Sequence, residues 1–481
     1  MKKYLLLGGA AAVITSVAAQ SKAPNILLIL ADDMRGSAVG MLGEEAVLTP
    51  NIDRLAEDAT TLSRTYIMGG TSGAVSMPSR AMIMSGKYLH TLSKNGGTIP
   101  VEHATIGETL QSCGYTAFHT GKWHNGGEAY NRSFNEGTAI YFGGMADHWN
   151  VPLHDRKESG NYIYKNRPVV LTPMGNNIVT YEKGDYALSG KHSVDIFTDT
   201  ALEYLDDNAG GDKPFFLSVS YMLPHDPRNT HQRFLDLYNV DDIKLPDSFV
   251  GEHPFDNGEL RIRDEKLLPF PRTEEATREQ IRDYYACISH MDEGCGRLIE
   301  RLKELGVYDN TIIIFAADNG LAVGQHGLLG KQNMYEHSIR VPLMIKGAEG
   351  SSVPKGVVRD EPCLMIDIFP TLCQLVDVET PKTVDGVSLM PIIESEKRTR
   401  DYLYHGYVFK QRAVSDGEWK LIEYFVKDKH TTQLFNLKDD PKEMNDLSKE
   451  KKYAKRVAQL RKQMKEEAAL THDPAEWVME L

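Results

Sequence analysis

The sequence predicts an α/β protein: a large, mixed but mostly parallel sheet sandwiched by helices, followed by a small α+β C-terminal subdomain. Three observations lead there. Short apolar runs recur along the chain, and each ends in chemically capable residues. Amphipathic helical patterns alternate with these runs. Near residue 395 the pattern changes to closely spaced short strands and one charged helix.

The apolar runs come first. Asn25 to Ala31 leads into Asp32-Asp33. Tyr115 to Phe118 leads into Gly121-Lys122-Trp123-His124. Pro214 to Tyr221 leads into Pro224-His225, and Thr311 to Ala317 leads into Asp318-Asn319-Gly320. Runs without alternation suit strands buried on both faces of a parallel sheet. Between them, Thr49-Pro50 opens a helix, with Thr as N-cap and Pro at the first turn. Residues 192–205 and 275–305 read as further amphipathic helices. Strand and helix in alternation give a layered α/β sheet. Ligands of such sheets bind at the carboxyl ends of the strands. Those ends carry Asp32, Asp33, Lys122, His124, His225, Asp318 and Asn319.

Two segments break the alternation. Residues 126–191 are rich in Gly, Asn, Tyr and His without clear periodicity, which predicts a substrate loop. Residues 402–407 and 419–425 read as strands and residues 449–469 as a helix. The expected organisation is therefore a leader (1–19), a main domain (20–394) and a C-terminal subdomain (395–481).

The chain has 481 residues, with 41% hydrophobic and 25% charged, values of a globular protein. Lys2 and Lys3 precede an apolar stretch from Tyr4 that ends in Val17-Ala18-Ala19. That pattern predicts a cleavable signal peptide and a periplasmic or extracellular protein with no stable membrane insertion. The formal charge is −13, which argues against nucleic acid as a partner. The five cysteines have no regular spacing and read as buried apolar residues, with at most one pair.

The stretch Ser76-Met77-Pro78-Ser79-Arg80 carries the chemistry. Ser76 with Pro78 behind it and Gly86 ten residues on predicts a short helix from Ser76 to Gly86. Its amino end would be an anion site, with Arg80 one turn along on the same face. An N-cap serine and a nucleophile both fit this fragment.

Ser76-Met77-Pro78-Ser79-Arg80, continuing to Met84-Ser85-Gly86-Lys87, resembles the signature of the type I sulfatases, in its serine version. The resemblance covers nearly the whole chain after the leader. The Asp32-Asp33 strand end is similar to the family's acid pair. Gly121-Lys122-Trp123-His124, Asp318-Asn319-Gly320, Gly324-Gln325-His326-Gly327, Gly330-Lys331 and Tyr335-Glu336 follow in the family's order. The resemblance implies an alkaline-phosphatase-like fold. It also implies oxidation of Ser76 to formylglycine by a serine-type radical maturating enzyme before export. One hydroxyl of the hydrated aldehyde would attack sulfur and the other would release sulfate.

Asp32, Asp33, Asp318 and Asn319 supply only oxygen ligands, which suits Ca²⁺ in preference to Mg²⁺ and disfavours zinc. The resemblance implies Ca²⁺, with modified Ser76 completing its shell. It further implies Lys122 and Lys331 as clamps on sulfate, His225 as general acid, His124 as assistant to the hydrate and Arg80 as its orienting group. His119, His326 and His337 would support the site. Asp226, Arg228, Trp149 and His154 are candidate contacts to a sulfated saccharide, with a galactose or N-acetylgalactosamine sulfate in host or algal glycans as the expected substrate. His405 and Arg412 would edge the pocket. The relatives' usual second histidine or threonine is absent beside His225, where Asp226 and Arg228 stand.

Two other classes compete. A metal-dependent phosphohydrolase or phosphodiesterase would use Ser76 unmodified, but that group favours two transition metals and more histidine ligands. A non-catalytic carbohydrate-binding relative would be expected to lose Lys122, His124, His225 or Lys331, and all four are present.

Overall fold

The computed structural model describes residues 23–93, 95–160, 162, 165–170 and 179–481. The expected leader lies outside the described residues, as does part of the expected substrate loop. Its central sheet has eight strands: β1 (Asn25–Asp32), β2 (Thr60–Leu62), β3 (Thr116–Lys122), β4 (Glu136–Tyr141), β5 (Phe215–Pro224), β6 (Thr311–Ala317), β7 (Leu343–Lys346) and β8 (Val357–Arg359). Their order across the sheet is β8-β2-β7-β6-β1-β5-β3-β4. Only β7 runs against the others.

Every residue of β1 is buried, odd and even alike. Both faces of the sheet centre are therefore covered, which is why the run reads as apolar without alternation. The four runs that end in reactive residues are β6, β1, β5 and β3, four parallel neighbours. Parallel strands end at the same edge, so Asp318, Asp32, His225 and Lys122 arrive side by side.

Helices α1 (Pro50–Glu57), α2 (Ser76–Ser85), α3 (Ser193–Asn208) and α4 (Glu274–Glu304) frame this sheet. α3 and α4 pack on each other and on β5. The start of α1 departs from expectation. Thr49 makes no capping bond; its hydroxyl bonds Asp53 Oδ1 at 2.8 Å. Asp292 of α4 takes the cap's place, accepting from Asn51 N–H at 3.1 Å and Ile52 N–H at 2.8 Å. A carboxylate at a helix amino end is favoured by the exposed N–H groups and the dipole, and here it also ties two helices together.

Residues 126–191 are not one irregular loop. They contain a helix (Gly127–Ser133), β4, and a hairpin of Lys165–Val170 with Val179–Gly184. Aromatic and mixed-polarity residues at a sheet edge hid the period there.

Towards the C-terminus, β9 (Leu403–Tyr407), β10 (Gln411–Ser415), β11 (Trp419–Val426) and β12 (Lys429–Asn436) form an antiparallel meander. Helix α5 (Ala454–Leu470) covers it through Leu460, Met464 and Ala468, which pack with Tyr404, Val414, Leu421 and Leu434. A fifth strand, Gly69–Gly70, joins β9 in parallel from the segment just before α2. A side chain at Gly69 would put its Cβ 2.1 Å from the Gly406 oxygen, at φ 99°, so only glycine allows this pairing. All five cysteines are free. Among the described residues, no helix is long and apolar enough to cross a membrane.

Candidate active site

Ser76 opens α2, and Gly86 ends it in the left-handed conformation. Its side chain does not cap the helix. The Oγ lies 3.1 Å from Asp32 Oδ1, 3.0 Å from Asn319 Oδ1 and 3.1 Å from Lys331 Nζ. Ser76 is 1% exposed. Arg80, one turn on, donates from Nε to Asp318 Oδ2 at 2.8 Å and from Nη1 to the Lys122 carbonyl at 2.7 Å. Ser79 donates to the Asp318 carbonyl. The α2 motif is thus bolted to the ends of β6 and β3 by its own second and third polar residues.

The acids and bases interlock. Lys122 pairs with Asp32, and Lys331 with Asp33 Oδ1 at 2.6 Å. Asn319 donates from Nδ2 to Asp33 Oδ1 at 2.7 Å, which turns its Oδ1 towards Ser76. Burial alone would raise Asp32, but Lys122, His225, Arg80 and Lys331 together hold it well below the usual carboxylate range. Burial would lower Lys331, yet Asp33, Asp32, Asp264 and Asp318 more than offset that and raise it. Burial, with Lys122 next, keeps His124 well below the usual imidazole range.

Backbone shape contributes too. Asp33 and His124 adopt left-handed conformations, φ 67° and 69°, costing on the order of 1 kcal/mol each for a non-glycine residue. Gly121, at φ 98°, approaches β5 so closely that a Cβ would sit 2.0 Å from the Ser220 oxygen. The ladder shifts register between His119 and Gly121, and Lys122 follows directly.

The oxygen set fits a hard cation. A serine hydroxyl has one proton, yet Ser76 Oγ meets two acceptor oxygens at about hydrogen-bond distance. One of those contacts sets acceptor against acceptor, an excess of converging lone pairs that a cation relieves. Asp32, Asp33 and His225 also bring ligand atoms within 4.8 Å of one another. Carboxylate, amide and hydroxyl oxygens suit Ca²⁺ or Mg²⁺.

His225 presents one nitrogen. Its Nδ1 lies 2.7 Å from the Asp226 carbonyl, and a carbonyl only accepts, so Nδ1 carries a proton. Nε2 faces Asp33 Oδ2 at 3.7 Å.

Residues 24–378 match the sulfatase family. The chain belongs to that family. Residues 324–469 also match the C-terminal part of N-sulphoglucosamine sulphohydrolase. This sulfatase-family chain is 26% identical to an N-acetylglucosamine-6-O-sulfatase of Bacteroides thetaiotaomicron, over 93% of the chain and 86% of that relative. It is 28% identical to an arylsulfatase of Clostridium perfringens, over 91% and 93%. A protein solved in complex with its substrate D-glucosamine-2-N,6-O-disulfate shares the fold, with TM-score 0.75 and 24% identity over 94% of this chain and 99% of that one. So does a phosphonate monoester hydrolase of Agrobacterium radiobacter, with TM-score 0.73 and 20% identity over 93% and 96%. The fold is the alkaline-phosphatase-like one, and the two sequence relatives named above are sulfuric ester hydrolases.

Within this sulfatase-family site, the structure brings together Asp32, Asp33, Ser76, Arg80, Lys122, His225, Asp318, Asn319 and Lys331, with His124 within electrostatic reach. Other expected residues lie elsewhere. His119 is buried among Trp123, Tyr130 and Phe134 and held at about 3 by burial and by Arg80, so it lies behind the site and not in it. His154 pairs with Asp185 and packs on Phe142. Trp149 packs edge-on against His192 and His231. His326 and His337 flank Tyr335 and line a separate cavity of about 450 Å³ with Arg35 and Arg340. Arg412 is fully buried against Asp473, and His405 donates to the Ile67 carbonyl at 2.7 Å, so neither edges the site. Asp226 is not free for a sugar, because Arg263 engages both its oxygens. Arg228 holds Gln280 at 2.7 Å through Nη1, while its buried Nε and Nη2 have no hydrogen-bond partner.

The sequence missed the partners that hold this set. Tyr284 of α4 donates to the Asp33 carbonyl at 2.9 Å. Asn125 donates to the Met77 and Gly96 carbonyls at 2.9 Å each. Gln332 reaches Asp264 Oδ2 at 2.7 Å. The Gly-Lys-Trp-His run and Gly330-Lys331, whose next residues are Asn125 and Gln332, pointed near two of them without marking their partners.

Proposed function

We propose that this protein is a secreted sulfatase that hydrolyses a sulfate ester on a carbohydrate, through formylglycine formed from Ser76 and with one Ca²⁺. The observation that carries the reading is the position of Ser76 Oγ, at the meeting point of Asp32, Asn319 and Lys331. Asp32, Asp33, Asp318 and Asn319 would hold the ion. When bound, it would polarise a sulfate oxygen and favour ionisation of the modified residue.

The chain's own residues supply the rest. Lys122 and Lys331 neutralise charge on the sulfate oxygens in a buried, low-dielectric site. Arg80 anchors Asp318 and the end of β3, fixing the nucleophile's helix. His225 has its Nδ1 proton committed to a carbonyl, so Nε2 is the nitrogen that delivers a proton to the leaving oxygen. His124 assists the modified side chain. Arg228, whose buried Nε and Nη2 lack hydrogen-bond partners, is the candidate contact for a substrate oxygen.

Relatives named for N-acetylglucosamine-6-O-sulfate and ulvan support a carbohydrate substrate. Amino-sugar 6-sulfates lead the assay, with galactose and N-acetylgalactosamine sulfates beside them. The leader pattern at 1–19 supports export. The test is the mass of the tryptic peptide Thr65–Arg80 from protein made with and without a serine-type maturating enzyme. The expected result is loss of two hydrogens at Ser76 only with the enzyme, together with sulfate release. Full activity from unmodified Ser76 would sink the aldehyde chemistry and favour the phosphohydrolase alternative, whose fold this chain shares.

A further inference from the structure

A second cluster of metal-ligating side chains lies outside the Ser76 site. His192 caps α3, and Asp195 stands in that helix's first turn. His290 projects from the middle of α4 and is 1% exposed. His231 opens the short helix Gln232–Leu235. Ligand atoms of His192, Asp195 and His290 lie within 4.8 Å of one another. His231 Nε2 sits 2.9 Å from Asp195 Oδ2, and His290 Nε2 sits 3.5 Å from Asp195 Oδ1. The His192 and His290 rings are 4.5 Å apart, and those of His231 and His290 5.0 Å.

Hydrogen bonds made outside the cluster orient two of its rings, and His290 Nε2 faces Asp195 without a hydrogen-bond partner. His192 Nε2 lies 3.1 Å from the Asn229 carbonyl, so Nε2 carries its proton and Nδ1 carries the lone pair. That lone pair accepts the Val194 N–H at 3.2 Å, a long capping bond that an ion would displace. His290 Nδ1 is bonded to Thr230 Oγ1 at 2.8 Å, while its buried Nε2 has no hydrogen-bond partner. Outer bonds of this kind, from the far ring nitrogen to a carbonyl or hydroxyl, are what orient histidine ligands. The 3.5 Å between His290 Nε2 and Asp195 Oδ1 is close to the ~3.3 Å expected between ligands on one tetrahedral ion with bonds of about 2.0 Å. Asp195 and His231 are partly exposed, which gives an ion a way in.

We propose that His192, Asp195, His231 and His290 form a binding site for a divalent first-row transition ion of the Zn²⁺ class. Imidazole nitrogens and one carboxylate select such an ion over Ca²⁺, so this site and the Ser76 site differ in hardness. The ion would staple α3, α4 and the segment 225–231, which begins at His225. His192 bonds Asn229, and His290 bonds Thr230, within that segment. The role is a positioning one, fixing the loop that carries the candidate general acid.

The test uses the full chain, stripped by chelator and refilled with excess Ca²⁺, then titrated with Zn²⁺ by calorimetry. Wild type should take up one equivalent. His231→Ala, at the partly exposed edge, should weaken uptake at least tenfold, and Asp195→Asn should do the same or more. Co²⁺ in place of Zn²⁺ should give the intense visible bands of a tetrahedral nitrogen site in wild type and lose them in His231→Ala. Circular dichroism and the Ca²⁺ content of each variant report that the fold and the first site persist. No Zn²⁺ uptake by wild type overturns the proposal and leaves a metal-free Asp–His network. Uptake that neither substitution changes also overturns it, because the ion is then bound elsewhere.

Discussion

At the scale of the residue, the Ser76 site is held by charge balance. Asp32, Asp33 and Asp318 face Arg80, Lys122 and Lys331, all buried. Removing one partner leaves the other uncompensated, which typically costs 3–5 kcal/mol. Lys331→Ala should therefore lower the unfolding midpoint in urea as well as activity. Lys331→Met, which keeps the stem, should show the same pattern. His225→Ala should lower kcat about 10²–10⁴-fold, and a substrate with a good leaving group should recover most of that loss. If both substrates suffer equally, His225 is not the proton donor. Arg228→Ala should raise KM more than it lowers kcat, measured on the preferred saccharide. A kcat effect with unchanged KM would place Arg228 outside substrate binding.

At the scale of the element, the sequence was most readable where one force dominated. Apolar runs ending in Asp32-Asp33, Lys122, His225 and Asp318-Asn319 became the four adjacent central strands, because burial on both faces leaves no choice of residue type. The helix from Ser76 to Gly86 was marked by its own stop signal. What stayed hidden depends on distant partners. Thr49 looked like a cap, but Asp292 caps that helix from 241 residues away. Asp226 looked open to substrate until Arg263 was seen to hold it. Histidines were the least readable: His119, His154, His326 and His405 bond backbone, serine or acid partners, or stack, for structural reasons. One prediction belongs here. Gly69→Ala, forced against the Gly406 oxygen, should break the strand Gly69–Gly70 from β9 and lower both stability and activity. Thermal melting and sulfate release, measured together, should fall together.

At the scale of the whole molecule, several buried histidines set the acid limit. Burial holds His148, His326 and His405 at about 4. In the unfolded chain each takes a proton near pH 6.5. The folded form binds protons less readily, so stability is fully present above that value and falls as pH drops towards 4. For one such group the loss by pH 5 is about 2 kcal/mol. Urea midpoints should fall from pH 7.5 to 5.0, and His405→Gln should flatten that slope even if it is less stable at pH 7.5. A slope unchanged in the variant would show that His405 does not contribute.

The pairing of Gly69–Gly70 with β9 also has a temporal meaning. Ribosomes make the strand next to Ser76 early and its partner, Leu403–Tyr407, close to the end. Until that late strand is threaded in, the sheet beside α2 lacks its neighbour; in the folded chain Ser76 is 1% exposed. The enzyme proposed to oxidise Ser76 would find its target most open on nascent or unfolded chain. Incubating the maturating enzyme with folded protein should leave Thr65–Arg80 unchanged, whereas the same peptide free in solution should be converted. The length of the chain would then act as a clock for its own activation.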